Sequence, residues 1–282
     1  MNIARCKFYF VFMVSIVKND LRGVHMNVIV VPCLHDNYSY ILFDDKSTEA
    51  AAVDPSEAWP VLQELEKRQL TLGAVLCTHH HPDHIGGLED IIEEVGRIRV
   101  FGFAGDKARI PQLNQLLADG DDFAVCGVSG VMLHTPGHTT GGVVFHIENH
   151  MFTGDTLFGG GCGRLFEGTA PQMLASLEKI MHCDPETLVY CGHEYTVVNL
   201  NFARQIEPDN EEIARRLALV ETGRSRGQPS VPSTMGEERR TNPFLRCHEP
   251  GLIRQVEKNY TVDSNNPEAL FGFIRGLRNN FS

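Results

Sequence analysis

A short segment of this 282-residue chain concentrates side chains of the types that bind metal ions. Residues 77–87 read CTHHHPDHIGG, which places four histidines and one aspartate within six positions. That density is high for a chain with only 13 histidines. Imidazole nitrogens and carboxylate oxygens suit zinc, iron and manganese, so the segment predicts metal binding. Because a lone His-x-His pair is often just part of a polar loop, the prediction needs further ligands elsewhere.

Three later segments place a ligand-type side chain soon after an apolar run. GVMLHTPG leads to His138, HMFTG to Asp155 and TLVYCG to His193, just as GAVLCT leads to His79. Binding residues in α/β proteins usually follow the carboxyl ends of strands. Four strands are therefore expected to deliver their ligands to one common edge. The candidate ligands are His79, His81, Asp83, His84, His138, Asp155 and His193.

This set is too large for a single four-coordinate ion but fits two. A metal pair needs a carboxylate to bridge it, and such pairs lie roughly 3.5–4 Å apart. A pair also lowers the pKa of a shared water, which makes hydroxide available near neutral pH. The absence of candidate thiolates argues against a closed structural zinc site. We therefore expect two divalent ions, zinc in preference to iron or manganese, and hydrolysis as the chemistry.

Other histidines lack this position after a strand. We expect them to be structural or surface residues, because nothing in their sequence context gathers further ligands around them. They are His25, His35, His146, His150, His182 and His248.

The composition is that of an ordinary globular protein, with 42% hydrophobic and 22% charged residues. A formal net charge of −11 argues against nucleic-acid binding, although a local basic pocket for a small anion is compatible with it. The eight cysteines include no close CxxC pair. Buried free thiols suit a reducing compartment, so we expect a cytoplasmic protein, and we expect it to be a monomer.

The first 25 residues differ from the rest of the chain. The apolar run FYFVFMVSIV follows Arg5 and Lys7, as in a signal peptide, but no small-residue cleavage site follows. About 10 apolar residues are too few to cross a bilayer as a helix. We expect residues 1–25 to be a dispensable extension without stable membrane insertion, and a start at Met26 is compatible with the pattern.

From Met26 to about Thr196, short apolar runs alternate with amphipathic segments. Strands are predicted at residues 27–32, 38–44, 50–55, 73–78, 98–103, 130–135, 142–147, 150–154 and 187–192. Helices are predicted at 58–70, 86–96 and 171–182 and, beyond Thr196, at 210–221 and 266–281. No strand signal follows Thr196. We expect a mixed α/β domain over 26–196 and a helical C-terminal domain over 197–282.

Four motifs, THHHPDH, TPGHT, FTGDTLF and GHEYT, resemble those of the metallo-β-lactamase superfamily. Within it, the chain resembles the hydroxyacylglutathione hydrolases, or glyoxalase II enzymes, from Met26 to near its end. GCGRLFEGTA and GEERRTNPFLR are more specific to them than the ligand motifs. The resemblance implies an α+β fold, a four-layer αββα sandwich with metals at one edge of the sheets and a helical C-terminal domain.

The resemblance also implies how the ligands divide between two metals. One ion would be held by His79, His81 and His138, and the other by Asp83, His84 and His193. Asp155 would bridge them, and Asp83 and Asp155 would be the catalytic residues.

Two further positions of the motifs have implied roles. His80 takes a position that does not bind metal, so it should be replaceable. Asp54 would support the ligands from behind, although a turn carboxylate before Pro55 is nearly as good an interpretation of the sequence alone.

The substrate implied by the resemblance is an S-(2-hydroxyacyl)glutathione such as S-D-lactoylglutathione. A metal-bridging hydroxide would attack the thioester carbonyl, and the products would be glutathione and a 2-hydroxy acid. The residues that match glutathione-contacting positions are Arg164, Tyr195, Arg275 and Arg278.

Some of these positions leave alternatives open. Arg275 and Arg278 lie three residues apart and so share one helix face, which the spacing alone would indicate to be solvated. Phe166 replaces a tyrosine that is frequent in the family, and Gly142 replaces a histidine. Both departures bear on substrate affinity and specificity more than on the type of reaction.

Two other functions compete with thioester hydrolysis. A persulfide dioxygenase with a single iron would share the ligand motifs, but GHEYT and the long helical tail favour the hydrolase. A catalytically silent scaffold that uses the fold to bind a partner is the second alternative. The complete ligand set argues against it.

Overall fold

The computed structural model describes Ile16–Val17 and residues 26–281. The strands are β1 Ile16–Val17, β2 Met26–Cys33, β3 Asn37–Asp44, β4 Glu49–Val53, β5 Thr71–Leu76, β6 Arg99–Phe103, β7 Gln115–Leu117, β8 Asp122–Val125, β9 Val128–His134, β10 Val143–Ile147, β11 His150–Gly154, β12 Leu157–Phe158, β13 Gly161–Cys162, β14 Leu188–Cys191 and β15 Ser233–Thr234. The α-helices are α1 Ala58–Arg68, α2 Pro82–Ile85, α3 Leu88–Val95, α4 Ala170–Met181, α5 Thr196–Ile206, α6 Glu211–Arg224, α7 Met235–Thr241, α8 Pro250–Asn259 and α9 Pro267–Asn279.

Two main sheets are built from these strands. Within the described residues, the first has the order β1-β2-β3-β4-β5-β6-β7 and the second the order β15-β14-β11-β10-β9-β8. In the first sheet, β4 to β7 pair in parallel. In the second, β9 and β11 are both antiparallel to β10, and β14 is parallel to β11. Strands β9, β11 and β14 therefore end at the same edge.

The alternation of side chains along β2 shows how the layers form. Val28 and Val30 point into a core between the two sheets, where they meet residues of the second sheet such as Phe145. Ile29 and Val31 point the other way, into a core shared with α1 and α3. Apolar residues on both faces of a strand require a covering layer on each side.

Helix α4 covers the outer face of the second sheet, where Met173 and Leu177 pack in one cluster with Val144 and Met151. The order of layers is therefore helix, sheet, sheet, helix, and the predicted four-layer fold is confirmed. Helices α5, α8 and α9 extend the same cluster. The buried side of α9, with Phe271 among its residues, thus packs beside α4.

The prediction that no strand follows Thr196 is wrong. β15 pairs antiparallel with β14, with Leu188 opposite Thr234 and Val189 opposite Ser233. Two residues are too few to show an alternating pattern. Helix α5 was not predicted either, because its first residues, Thr-Val-Val, are β-branched and favour strands.

Little of the predicted extension over residues 1–25 is described. Ile16 and Val17 pair antiparallel with Ile29 and Val28 of β2, and the other residues of the extension lie outside the described part. No helix among the described residues is long and apolar enough to cross a membrane. The cysteines of the described part are free thiols, and all of them except Cys183 are buried.

Candidate metal centre and adjoining cavity

The strand ends bring all of the predicted ligands to one place between the two sheets. β5 ends at Leu76, just before the histidine-rich segment, and β9, β11 and β14 end before the other ligands. Sharp turns aim these side chains inward. Gly154 has a φ of 46°, and a Cβ on Gly192 would lie 2.5 Å from an oxygen of Asp155. Only glycine leaves space for the carboxylate there.

Three histidines form the first half of the centre. His79 Nε2 lies 3.1 Å from His81 Nδ1, which lies 3.0 Å from His138 Nε2. Nitrogens 2.0–2.1 Å from one tetrahedral zinc ion lie about 3.3 Å apart, so this spacing is close to that of a loaded site. The convergence of three lone-pair nitrogens is unfavourable unless a cation or a proton lies between them.

Asp83, His84 and His193 form the second half. Asp83 Oδ2 lies 3.4 Å from His193 Nε2 and 3.7 Å from His84 Nε2. Asn37 donates a 3.0 Å hydrogen bond to the same carboxylate oxygen. These side chains also suit a single divalent ion.

Asp155 lies between the two halves. Its Oδ2 is 3.2 Å from His138 Nε2, and its Oδ1 is 3.3 Å from His84 Nε2. Oδ2 is also 3.5 Å from His193 Nε2. One carboxylate thus faces ligands of both halves, which is the geometry a bridging ligand requires.

Asp54 orients ligands without pointing into the centre. It is 2% exposed and has a positive φ of 45°. Its carboxylate accepts hydrogen bonds from the Thr78 N–H at 2.7 Å and the Thr78 hydroxyl at 2.5 Å, and it lies 2.9 Å from His84 Nδ1. With its oxygens so occupied, Asp54 supports His84 from behind. Of the two interpretations left open above, the geometry favours support over a plain turn carboxylate.

Two other ligands are oriented in the same way. His193 Nδ1 lies 2.9 Å from Asp36 Oδ1, and His138 Nδ1 lies 2.8 Å from the carbonyl oxygen of Arg164. An Nδ1–H that donates to an oxygen leaves Nε2 as the lone pair for a metal. These contacts orient both rings with Nε2 towards the centre, where it could bind a metal.

The charges of the centre are strongly coupled. Burial would lower the pKa of His84, but the carboxylates of Asp155 and Asp54 raise it to about 10. Burial also opposes ionisation of Asp155, yet His84 and His193 hold its pKa well below the usual value. His84 Nε2 and Asp155 Oδ1 are nevertheless buried without a hydrogen-bond partner. A divalent cation would satisfy both atoms, so the residues present fit metal binding.

Sequence reasoning missed Asp36 and Asn37. They lie at the β2–β3 turn, where Asp-Asn reads as an ordinary turn pair. The Tyr38 N–H donates to the Gly192 carbonyl at 2.9 Å, which joins this hairpin to the segment that carries His193. A local sequence pattern cannot predict a contact between segments that lie so far apart in the chain.

A cavity of about 470 Å³ opens beside the metal centre. It is lined by candidate metal ligands, by all of the predicted glutathione-contacting residues and by several apolar side chains. Its lining residues include His81, His138, Cys162, Arg164, Phe166, Tyr195, Asn199, Arg275 and Arg278.

The arginines of α9 do not form a solvated helix face, so that interpretation is wrong. Arg275 is 6% exposed and donates to the Cys162 carbonyl at 2.8 Å. Arg278 Nε donates to Asn199 Oδ1 at 3.1 Å. Burial and then the charge of Arg275 lower the pKa of Arg278. Two cations at the wall of one cavity favour the binding of an anion between them.

Aromatic rings border the metal centre on the cavity side. Tyr195 stacks on His193 with ring centres 4.8 Å apart. Phe166 lies edge-on to His81 and His138, at 5.8 and 5.2 Å between ring centres. The departure from tyrosine at Phe166 therefore concerns a residue directly beside the metal centre.

His80 points away from the metal centre, as its motif position implies. Its Nδ1 lies 3.5 Å from Asp106 Oδ2, and its Nε2 lies 3.5 Å from Glu167 Oε1. It belongs to a separate polar cluster.

Known families match both parts of the chain. The family model "Metallo-beta-lactamase superfamily" matches residues 37–111 and 97–193, and "Hydroxyacylglutathione hydrolase C-terminus" matches residues 194–281. A hydroxyacylglutathione hydrolase of Gloeobacter violaceus is 45% identical over 250 residues, which are 88% of this chain and 97% of that protein. One of Nitrosomonas eutropha is 41% identical over 91% of this chain and 99% of its own.

Solved structures share the fold at lower identity. The BLEG-1 B3 metallo-beta-lactamase superposes with a TM-score of 0.59 at 25% identity, covering 77% of this chain and 99% of its own. ETHE1 from Myxococcus xanthus superposes with a TM-score of 0.56, also at 25% identity, and covers 87% of this chain and 95% of its own.

Proposed function

The chain belongs to the hydroxyacylglutathione hydrolase family, and from that premise we propose that it hydrolyses the thioester of S-(2-hydroxyacyl)glutathione to glutathione and a 2-hydroxy acid. One observation carries the proposal beyond the relationship itself. The same cavity joins a cluster of metal-ligand side chains to the paired arginines of α9. A substrate with a reactive thioester at one end and carboxylates at the other matches that arrangement.

Two divalent ions would occupy the centre, with zinc favoured and iron or manganese as alternatives. His79, His81 and His138 would hold one, and Asp83, His84 and His193 the other. Asp155 would bridge the two ions, because its carboxylate lies close to ligands of both halves. Metals bound there would activate a water and polarise the thioester carbonyl. Asp83 and Asp155 are assigned as the catalytic residues in this proposal.

The cations of the cavity would hold the glutathione portion. Arg275 and Arg278 would bind its glycine carboxylate, and Arg164 and Tyr195 would contact the rest of the peptide. These contacts would orient the acyl carbonyl towards Asp155. Because a thiolate leaves readily, we assign no separate catalytic acid.

The proposal extends to the organisation of the chain. Residues 26–196 would form the catalytic domain and residues 197–282 the substrate-binding domain that contributes α9. A monomer in the cytoplasm, where glutathione is kept reduced, would meet its substrate directly.

A paired assay tests the proposal. Purified protein loaded with metal is incubated with S-D-lactoylglutathione and, separately, with glutathione persulfide, while thioester loss and oxygen uptake are followed. We expect thioester loss without oxygen uptake. Oxygen uptake with persulfide and no thioester loss would show the dioxygenase instead, and neither activity would favour a silent scaffold. Metal analysis of protein from its native host would identify the ions.

A further inference from the structure

Residues 163–168 form one side of the mouth of the cavity. They carry Arg164 and Phe166, and both side chains line the cavity. Within the described part of the chain, the Arg164 side chain makes no hydrogen bond or ion pair, and its guanidinium carbon lies 5.9 Å from the centre of the Phe166 ring. Phe166 is 61% exposed. The positions of these side chains therefore depend on how the backbone of residues 163–168 is held.

Backbone contacts hold the inner edge of this segment against the metal centre. The N–H groups of Phe166 and Glu167 donate to the His138 carbonyl at 3.2 and 3.3 Å. The Gly168 N–H donates to the Gly137 carbonyl at 3.1 Å. These bonds set the distance of the segment from His138, but they leave its outer edge to be held by side chains.

The Glu167 carboxylate anchors the outer edge of residues 163–168. Its two carboxylate oxygens lie 2.8 and 2.9 Å from one guanidinium nitrogen of Arg109. Oε2 also accepts from the Thr140 N–H at 2.6 Å and the Thr140 hydroxyl at 2.8 Å. The carboxylate is satisfied by protein groups alone, although the side chain retains 29% of its exposure. It therefore joins the cavity rim to two other segments.

Arg109 is anchored in turn by a buried carboxylate. Its Nε lies 3.1 Å from Asp106 Oδ1, and Asp106 is 1% exposed. Asp106 packs so closely on Gly141 that a Cβ there would lie 1.8 Å from the same oxygen. His80 completes the group between Asp106 and Glu167. We call Glu167, Arg109, Thr140, Asp106 and His80 the rim clasp.

We propose that Glu167, through the rim clasp, is a positioning residue for substrate: it holds residues 163–168 so that Arg164 and Phe166 meet the glutathione thioester beside the metal centre. The inference rests on the proposed function. It assigns a role to residues outside the proposed metal and substrate contacts.

The clasp should affect substrate binding more than the chemical step. None of its members faces the converging nitrogens of the centre, and His138 keeps its bond to the Arg164 carbonyl as long as the inner edge holds. Loss of the outer hold would let Arg164 and Phe166 move, which weakens binding of ground state and transition state alike. The signature is a raised KM with little change in kcat.

The test compares Glu167→Ala, Arg109→Ala and the double variant with the unaltered protein, all loaded with metal. KM and kcat are measured with S-D-lactoylglutathione, the Kd for S-methylglutathione is measured by calorimetry, and metal content is determined. We expect KM and Kd to rise about three- to tenfold together, kcat to stay within about twofold and metal content to be unchanged. The double variant should be no worse than the poorer single variant, because the two residues act as one unit.

Two matched variants separate positioning from general structural damage. Glu167→Asp keeps the carboxylate on a shorter side chain and should recover part of the affinity. Glu49→Ala removes a different Glu–Arg pair, with Arg99, at the end of β4 remote from Asp54, and should leave KM unchanged. Melting temperatures are measured for every variant.

The possible results decide the inference in one direction or the other. Unchanged KM and Kd in Glu167→Ala, additive effects in the double variant, or metal loss with a fall in kcat would each overturn it. Since Kd is measured without turnover, a protein that binds S-methylglutathione but does not cleave the thioester would contradict the proposed function, while the variants would still decide the positioning role.

Discussion

Strand β11 begins with a buried histidine and ends at the candidate metal centre. The two regions shift the pKa of a buried histidine in opposite directions. His84, beside Asp155 just past the end of β11, is 1% exposed, and His150 at the start is 2% exposed. The neighbouring carboxylates raise the pKa of His84 to about 10, whereas burial lowers that of His150 to about 4. Burial is the same, so the difference lies in the neighbours.

The comparison shows what distinguishes a ligand-type histidine from a core histidine. Around His84, carboxylates and other imidazoles converge on one point. Around His150 the neighbours are the Tyr190 ring, whose centre is 5.9 Å away, and a second neutral imidazole, His146. Carboxylates around a buried imidazole stabilise a positive charge there, either a proton or a metal ion. A buried imidazole surrounded by aromatic and neutral groups stays uncharged.

Removal of Asp155 should have the largest effect. Asp155→Ala deletes a carboxylate that faces both halves of the centre and removes its negative charge from beside His84, His138 and His193. We expect metal content to fall and turnover to drop by about 10³-fold or more, measured by metal analysis and thioester hydrolysis. Full metal occupancy with a normal rate would contradict the bridging role. It would also mean that the carboxylate at this end of β11 is not what distinguishes a metal-binding histidine cluster from the core histidine at the other end.

Neighbouring histidines of one segment allow a sharper version of the same comparison. His79→Gln should lose metal and reduce turnover about a hundredfold or more, since His79 Nε2 faces the first cluster. His80→Gln, its matched control, should keep its metal and raise KM by at most several-fold, because His80 lies in the rim clasp. Equal metal loss in both variants would mean that proximity in sequence, rather than orientation, decides binding.

The arginines of α9 test the substrate end of the cavity. Arg275→Ala combined with Arg278→Ala should raise KM about tenfold to a hundredfold and change kcat less, because the lost contacts serve bound substrate and transition state equally. Arg254→Ala on α8 is the control, since Arg254 lies outside the cavity. An unchanged KM in the double variant would refute the anion-binding assignment.

The sequence predicts that the seven candidate ligands converge, because they follow the ends of four strands and a strand end is a local pattern. The resemblance carried by the motifs implies the four layers, and the structure shows their physical reason, since β2 is apolar on both faces and needs cover on each. The sequence does not reveal Asp36, whose contact with His193 joins residues 157 positions apart. The Arg109–Glu167 pair, separated by 58 positions, is hidden for the same reason. Roles that arise only from tertiary contacts leave no local pattern to read.

The opposite end of β11 should matter for stability but not for activity. His150 has an ordinary pKa of 6.5 when unfolded and about 4 when folded, so the unfolded state binds the proton more readily. Its neutral form therefore contributes stability that is complete above about pH 6.5 and is lost as the pH falls towards 4, by about 3 kcal/mol in all. The shift comes from burial, and within the described residues no ion pair offsets it.

His150→Leu provides the test, because leucine fills a similar volume and cannot be protonated. The free energy of unfolding is measured for both proteins by denaturant titration between pH 4 and 7. The metal centre is common to both, so their difference isolates His150. We expect the variant to lose less stability than the unaltered protein over this range, while both hydrolyse the thioester at the same rate at pH 7. Parallel pH profiles would show that His150 is not kept neutral by burial, and a lower rate would show that the two ends of β11 are coupled.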